Sequence, residues 1–196
     1  MKKLITLIFT FAMLFGFRAQ ALDSTKAENF VKKVTTEGIE QIINSDVSME
    51  EKDARFEKLF NEYLDLDYIG KFVLGRYWKT ATDKQKKDFI EVYRQFNIKT
   101  WSKRFDEFKG KSFDFNGTSP SNSEGQIFVN TSVNMGEAAP AKVVWRVKDG
   151  ENMKIVDIII ENVSLAITAR NEYTAYIKKA PGGLDDLIED LRQKAQ

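Results

Sequence analysis

Four stretches in the second half of the chain alternate apolar and polar positions with a period of two, the pattern of strands that bury one face. Phe113 and Phe115, flanked by Asp114 and Asn116, open the series. Ile127, Val129, Thr131, Val133 and Met135 then alternate against Phe128, Asn130, Ser132 and Asn134, and Val143, Trp145 and Val147 against Val144, Arg146 and Lys148. The most β-branched run, Lys154 to Val163, closes the series. Read with strict alternation, it puts Val156, Ile158 and Ile160 on one face, and Ile155, Ile159 and Val163 on the other with Asp157 and Glu161. One antiparallel sheet with an apolar side follows, and that side needs a cover.

The cover is predicted by helical periodicity on both flanks. Thr25 and Glu28 form a capping-box pattern ahead of Ala27, Phe30, Val31, Val34, Gly38, Ile39, Ile42 and Ile43, which predicts a helix from about Thr25 to Asn44. Ser48 and Glu51 open a second helix with Phe56, Leu59, Phe60 and Tyr63 on its buried stripe. A short helix carrying Ile69, Phe72 and Val73 stops at Gly75. Thr82 to Gln85 starts the longest pattern, expected to run to about Lys109. Its apolar positions make two lines: Phe89, Val92, Tyr93 and Phe96 on one, and Ile90, Ile98, Trp101, Phe105 and Phe108 on a neighbouring one. Two readings are open, a helix sandwiched between two packing partners or a helix whose aromatics line a cavity. After the strands, Leu165 to Lys178 reads as a helix burying Leu165, Ala169, Tyr173, Tyr176 and Ile177, and Gly183 leads into a last one carrying Leu184, Leu187, Ile188 and Leu191. Pro120, Pro140 and Pro181 all fall between these patterns. The order of helices, about four strands, then helices predicts an α+β fold, one antiparallel sheet packed against N-terminal and C-terminal helices.

The N-terminus has a different character. Lys2 and Lys3 precede an apolar run of 14 residues, Leu4 to Phe17, and Ala19-Gln20-Ala21 fits a small-x-small cleavage pattern. A bilayer span needs about 20 apolar residues. Residues 1–21 therefore read as a cleavable signal peptide, and residues 22–196 as a single exported domain. Removing Lys2, Lys3 and Arg18 takes the balance from 30 cations and 29 anions to 27 and 29, net −2. That near-neutral charge offers no footprint for nucleic acid.

The chain contains no Cys and no His. The missing types remove Ser-His-Asp and Cys-His nucleophilic schemes, the usual zinc ligand sets and histidine acid/base catalysis. Asp157 and Glu161 point the same way along a strand but stand about 13 Å apart, beyond the roughly 5 to 9.5 Å of paired glycosidase carboxylates. A structural role for Asp157, paired with Arg146 or Arg170, fits better. Ser164 reads as a helix cap, there is no phosphate-binding glycine loop, and no cofactor or metal is called for. What remains is aromatic surplus: 15 Phe, 6 Tyr and 3 Trp, with Trp78, Trp101 and Trp145 each inside an apolar pattern. For any one of them the plain role is core filling. As a set, a one-faced sheet under helices that are apolar on more than one side is a way to wall an apolar pocket.

Two segments resemble the MlaC, or toluene-tolerance, family. Leu66 to Lys79, with Ile69-Gly70, Val73-Leu74-Gly75 and Trp78, looks like the family's passage into its long central helix. Met153 to Leu165 followed by Arg170 is similar to its last strand and following helix. Met153 stands where the family usually has Trp, and Asn162 where it usually has Gly. The resemblance implies a periplasmic phospholipid carrier working between an outer-membrane lipoprotein/porin complex and an inner-membrane ABC transporter, with no enzymatic step. The expected lipid lining is Val73, Leu74, Tyr77, Trp78, Phe96, Trp101, Phe105, Val133, Val143, Trp145, Val147 and Ile158. Two rival readings are an extracytoplasmic adaptor or chaperone offering an apolar groove to protein, and a carboxylate hydrolase, which the missing His and the Asp157–Glu161 spacing disfavour.

Overall fold

A computed structural model describes residues 23–134, 136 and 139–196. The predicted signal peptide and Met135 lie outside them. Strands β1 (Phe113–Pro120), β2 (Gln126–Val133), β3 (Ala141–Lys148), β4 (Lys154–Ile160) and the two-residue β5 (Val163–Ser164) pair in sequence order as one antiparallel meander. The alternation in β2 is realised residue by residue, with Ile127, Val129, Thr131 and Val133 all buried. Pro120 ends β1 instead of lying in the turn. That is tolerated because β1 is an edge strand with one side free of ladder bonds.

In β4 strict alternation fails. Trp145 pairs with Ile158 and Arg146 with Asp157, but Val147 pairs with Ile155, so Val156 is an extra residue in a β-bulge. The bulge turns Ile155 to the face that carries Val147 and frees its carbonyl to accept from the Asp65 amide at 3.0 Å. After β4 the chain reverses through Glu161 and Asn162, both at positive φ, 48° and 67°. Asn tolerates that left-handed backbone better than most residues, which accounts for Asn in a glycine-like position.

Helix α1 (Ser24–Thr36) lies over β1 and β2 and is capped by Asp23 and not by Thr25 two residues later as expected: the Asp23 carboxylate accepts from the amides of Thr25 and Lys26. It continues into a π-helical segment, Glu37–Ile43. Helices α2 (Met49–Tyr63), α3 (Leu66–Leu74) and α4 (Arg76–Thr80) follow. Ser48 caps α2, and Thr82 with Gln85 completes a reciprocal capping box at the start of α5 (Asp83–Ser102). The long helical pattern does not reach Lys109 unbroken: α5 ends at Ser102, and a separate turn, α6 (Phe105–Phe108), carries the last aromatics. Helices α7 (Leu165–Lys179) and α8 (Leu184–Lys194) complete the chain. In α7, Ala166 joins Tyr173 and Ile177 as a buried residue, whereas Tyr176 is exposed. The α8 stripe is buried as read.

Two apolar clusters result. One is helical: Val73 and Leu74 of α3, Phe89, Val92 and Tyr93 of α5, Tyr173 and Ile177 of α7, and the stripe of α8. The other joins α1 and Tyr63 to the inner face of the sheet through Val129, Val133, Trp145, Val147 and Ile155. The segment resembling the family passage is explained by the first cluster. A side chain on Gly70 would collide with Ile90 of α5, and one on Gly75, at φ +53°, would meet the Arg170 guanidinium at 3.1 Å. Arg170 lies 4.9 Å over the Phe72 ring. The two sequence segments are therefore packing partners, α3 against α7.

Asp157 is the buried joint between sheet and α7. It accepts from the Ser164 hydroxyl at 2.6 Å and the Ala166 amide at 3.0 Å, with the Arg146 guanidinium 3.9 Å away. Ser164 in turn caps α7 by accepting from the Ile167 amide. Both structural roles read from the sequence hold, with Arg146 and not Arg170 as the cation.

Candidate functional site

Between the sheet and the helices lies a cavity of about 170 Å³. Its floor is the inner face of the sheet near one end: Phe113 of β1, Val143 and Trp145 of β3, and Ile155, Ile158 and Ile160 of β4. One wall is the C-terminal part of α1 with the π-helical segment, through Val34, Thr35, Gly38, Ile39 and Ile43. Phe56, Leu59, Phe60 and Leu64 on and just after α2 form another, and Trp101, Phe105 and Phe108 around the α5–α6 break close it. Thr35 supplies the one hydroxyl, and it is already turned back onto the Val31 and Lys32 carbonyls at 3.0 Å. Among the described residues, the Trp101 indole N–H is then the one side-chain donor of the lining without a hydrogen-bond partner.

Each indole has its own tether. Thr131, fully buried, donates to the Val143 carbonyl at 2.8 Å and accepts from the Trp145 indole N–H at 3.0 Å, so that ring presents carbon to the cavity. Phe113 meets Trp145 edge-on at 5.7 Å. Phe56 and Phe105 form a second edge-to-face pair at 5.2 Å, and Arg104 lies 5.2 Å over the Trp101 ring.

The π-helical segment shapes the wall. π-Helical turns are uncommon and concentrate at functional sites. Here their ends are held by neighbours: the Arg55 guanidinium donates to the Gln41 carbonyl at 3.0 Å, Lys52 to the Ile43 carbonyl at 2.9 Å, and Tyr63 to the Glu37 carboxylate at 2.7 Å. Burial, then the Glu37 and Glu62 carboxylates, push the Tyr63 phenol above its ordinary value.

Of the twelve residues expected to line a pocket, Trp101, Phe105, Val143, Trp145 and Ile158 meet around this cavity. Val73 and Leu74 are fully buried in the helical cluster, with Tyr77, Trp78 and Phe96 packed against it. Val133 and Val147 belong to the sheet-side cluster with α1 and are not part of the cavity lining, although each lies across the ladder from a lining residue, Phe113 and Ile155. Sequence reasoning missed the π-segment residues, although Gly38 inside an isoleucine-rich helix was a visible signal. It also missed Ile155, which no periodicity argument places correctly because the bulge reverses it.

Among the described residues no group of acidic side chains is arranged to hold a metal, and no helix is long and apolar enough to cross a membrane. A family model described as MlaC protein matches residues 26–193. The intermembrane phospholipid transport system binding protein MlaC of Haemophilus influenzae is 22% identical over 139 residues, 68% of this chain, and the match spans 63% of that relative's length. A phospholipid-binding protein from Ralstonia solanacearum, solved in complex with a phospholipid, superposes with a TM-score of 0.75 at 19% identity, over 86% of this chain and 96% of that one.

Proposed function

The chain belongs to the MlaC family, and from that premise we propose that it is a periplasmic carrier that encloses phospholipid acyl chains in the sheet–helix cavity and moves them between membrane complexes. The single observation that carries this reading is the cavity's lining, which is apolar but for Thr35 and two indoles, with Thr35 and the Trp145 indole already satisfied by the protein itself. Such a surface offers nothing to a sugar, a nucleotide or a metal, and offers full desolvation to a hydrocarbon. Two acyl chains in water cost on the order of 20 kcal/mol, at about 0.8 kcal/mol per methylene. Enclosing them lowers that barrier with no bond made or broken.

The space of about 170 Å³ is smaller than the roughly 300–1,000 Å³ of ordinary ligand pockets. Loading a two-chain lipid therefore moves the helical wall, α1 with its π segment and the α5–α6 turn, off the sheet. Trp101, Phe105, Val143, Trp145 and Ile158 contact the chains in this reading, joined by Ile39, Ile43, Phe108, Ile155 and Ile160. Residues 1–21 serve as the export signal and 22–196 as the carrier domain. The donor and acceptor are an outer-membrane lipoprotein/porin complex and an inner-membrane ABC transporter, and the traffic maintains outer-membrane lipid asymmetry.

The deciding experiment is native mass spectrometry of residues 22–196 purified from periplasm without detergent, followed by organic extraction. A stoichiometric adduct of phospholipid mass is the expected result. A folded protein that carries no lipid and takes none from phospholipid vesicles would overturn the reading in favour of a protein-binding groove.

A further inference from the structure

The chain contains one Asp-Gly link, Asp149-Gly150, and one Asn-Gly link, Asn116-Gly117. Glycine has no side chain to shield its own amide nitrogen, so at such a link that nitrogen can approach the side-chain carbonyl of the residue before it. The fold treats the two links differently.

Asp149 and Gly150 begin the turn of residues 149–153 that joins β3 to β4, and the turn is exposed from Asp149 to Asn152. The Gly150 amide donates to Oδ1 of Asp149 at 3.0 Å, and it has no other acceptor among the described residues. That contact folds the side chain back along the main chain and sets the nitrogen next to the carboxyl carbon, the approach that closure of a five-membered ring needs. The chain just before it is fixed. The Asp149 amide donates to the Gly125 carbonyl at 2.8 Å, and Lys148 donates to Asp65 at 3.0 Å while lying 4.7 Å over the Tyr68 ring. In Asn116-Gly117 the side chain turns elsewhere: Asn116 Nδ2 donates across the ladder to Ser132 Oγ at 3.2 Å, and both residues lie within β1.

The geometry points to Asp149-Gly150 as a site of spontaneous covalent modification, the isomerisation of Asp149 to isoaspartate through a cyclic imide. In the first step the Gly150 nitrogen bonds to the carbon of the protonated Asp149 carboxyl, and the carboxyl hydroxyl leaves with the hydrogen of that nitrogen as water. In the second, water reopens the ring. Cleavage between the nitrogen and the side-chain carbon restores aspartate, and cleavage between the nitrogen and the main-chain carbon leaves the chain running through the side chain. One water is released and one consumed, and nothing is oxidised or reduced. The product has the mass of the parent, one more backbone atom between Asp149 and Gly150, and a free α-carboxylate. The extra atom enters on the approach to β4, which carries Ile155, Ile158 and Ile160 of the cavity floor.

The test incubates folded protein, residues 22–196, for weeks in mildly acidic buffer, where a carboxyl spends part of its time protonated. Isoaspartate is counted by peptide mass spectrometry with electron-transfer fragmentation, which separates the two isomers. Wild type should accumulate isoaspartate at residue 149, and Gly150→Ala about ten-fold less, because a methyl group beside the nitrogen hinders the attack. Alanine fits the turn, since a Cβ built on Gly150 stands 3.4 Å from the Asn152 carbonyl oxygen. Asp149→Asn puts an amide in the same place and should lose ammonia through the same ring, read as conversion to the acid and its isomer at residue 149. No isoaspartate at 149 in wild type, equal yields in wild type and Gly150→Ala, or a higher yield at residue 116 than at 149 overturns the assignment. Should Gly150→Ala fail to fold, Asp149→Asn decides: conversion at 149 supports the site, and an amide that survives the incubation overturns it.

Discussion

Phe89 and Trp101 lie twelve residues apart on α5. Phe89 is fully buried, its ring 5.6 Å from Tyr93 and 6.0 Å from Tyr173 in an interlocked aromatic group. Trp101 is half-buried and borders empty space. One helix thus realises both readings its two apolar lines allowed. Along its first half α5 has α3, α7 and α8 near it, and side chains from several directions fill the interior to ordinary density. Towards Ser102 it borders the cavity instead, with α2 and the π segment forming other walls. Apolar residues make a core when elements converge on them from all sides and a binding space when one side is left unfilled.

A charge at the two regions should separate them most sharply. Val147→Asp, at a fully buried position of the sheet-side cluster, is expected to prevent folding, because an unpaired carboxylate there costs several kcal/mol. Ile160→Asp, half-buried at the cavity floor, should leave a cooperative thermal transition and lower lipid content at least ten-fold. If both unfold, the cavity floor is core after all. Truncation is the next largest contrast. Phe89→Ala should cost about 3–5 kcal/mol in urea unfolding, and Phe108→Ala about 1 kcal/mol, since the latter adds to a void that exists already. Equal losses would erase the distinction.

Asp157 probes the joint between the two regions. Asp157→Ala strands the Ser164 hydroxyl, the Ala166 amide and Arg146 together, and a loss of about 2–4 kcal/mol is expected. Lipid content in the surviving folded fraction should be unchanged. Asp157→Asn, which keeps one acceptor, should lose less than Asp157→Ala.

The smallest effect concerns the clamp on the π segment. Tyr63→Phe removes one hydrogen bond to Glu37 and should cost about 1 kcal/mol. It also changes the alkaline limb of stability. Burial holds the phenols of Tyr63, Tyr93 and Tyr173 above their ordinary value of 10.0, so above that pH the unfolded chain loses protons that the native state keeps. Stability is therefore flat with respect to these groups below about pH 9 and falls as pH rises past 10, and Tyr63→Phe should make that fall shallower. A slope indifferent to the substitution would remove Tyr63 from the set of groups responsible.

Much of what depends on neighbours along the chain was legible in the sequence, although the cap of α1 proved to be Asp23 and not Thr25. Strand alternation in β2, the capping groups Ser48, Thr82 and Ser164, the glycine stop at Gly75 and the apolar stripe of α8 are all set by interactions within a few residues, and all are present; in β3 the alternation is broken by Val144, which is buried beside Val143 and Trp145. The resemblance at Leu66–Lys79 and Met153–Leu165 was equally visible, and the family it pointed to is the right one. The lining was only partly legible: five of twelve candidates surround the cavity, and the α3 residues among the rest belong to a packing motif built on Gly70, Gly75 and Arg170. Tertiary structure decided the remainder. The bulge at Val156 reversed Ile155, and the break after Ser102 aimed Phe105 and Phe108. Hydrophobic patterning states that a residue avoids water, but it carries no term for what stands opposite, and a cavity is defined by what is missing there.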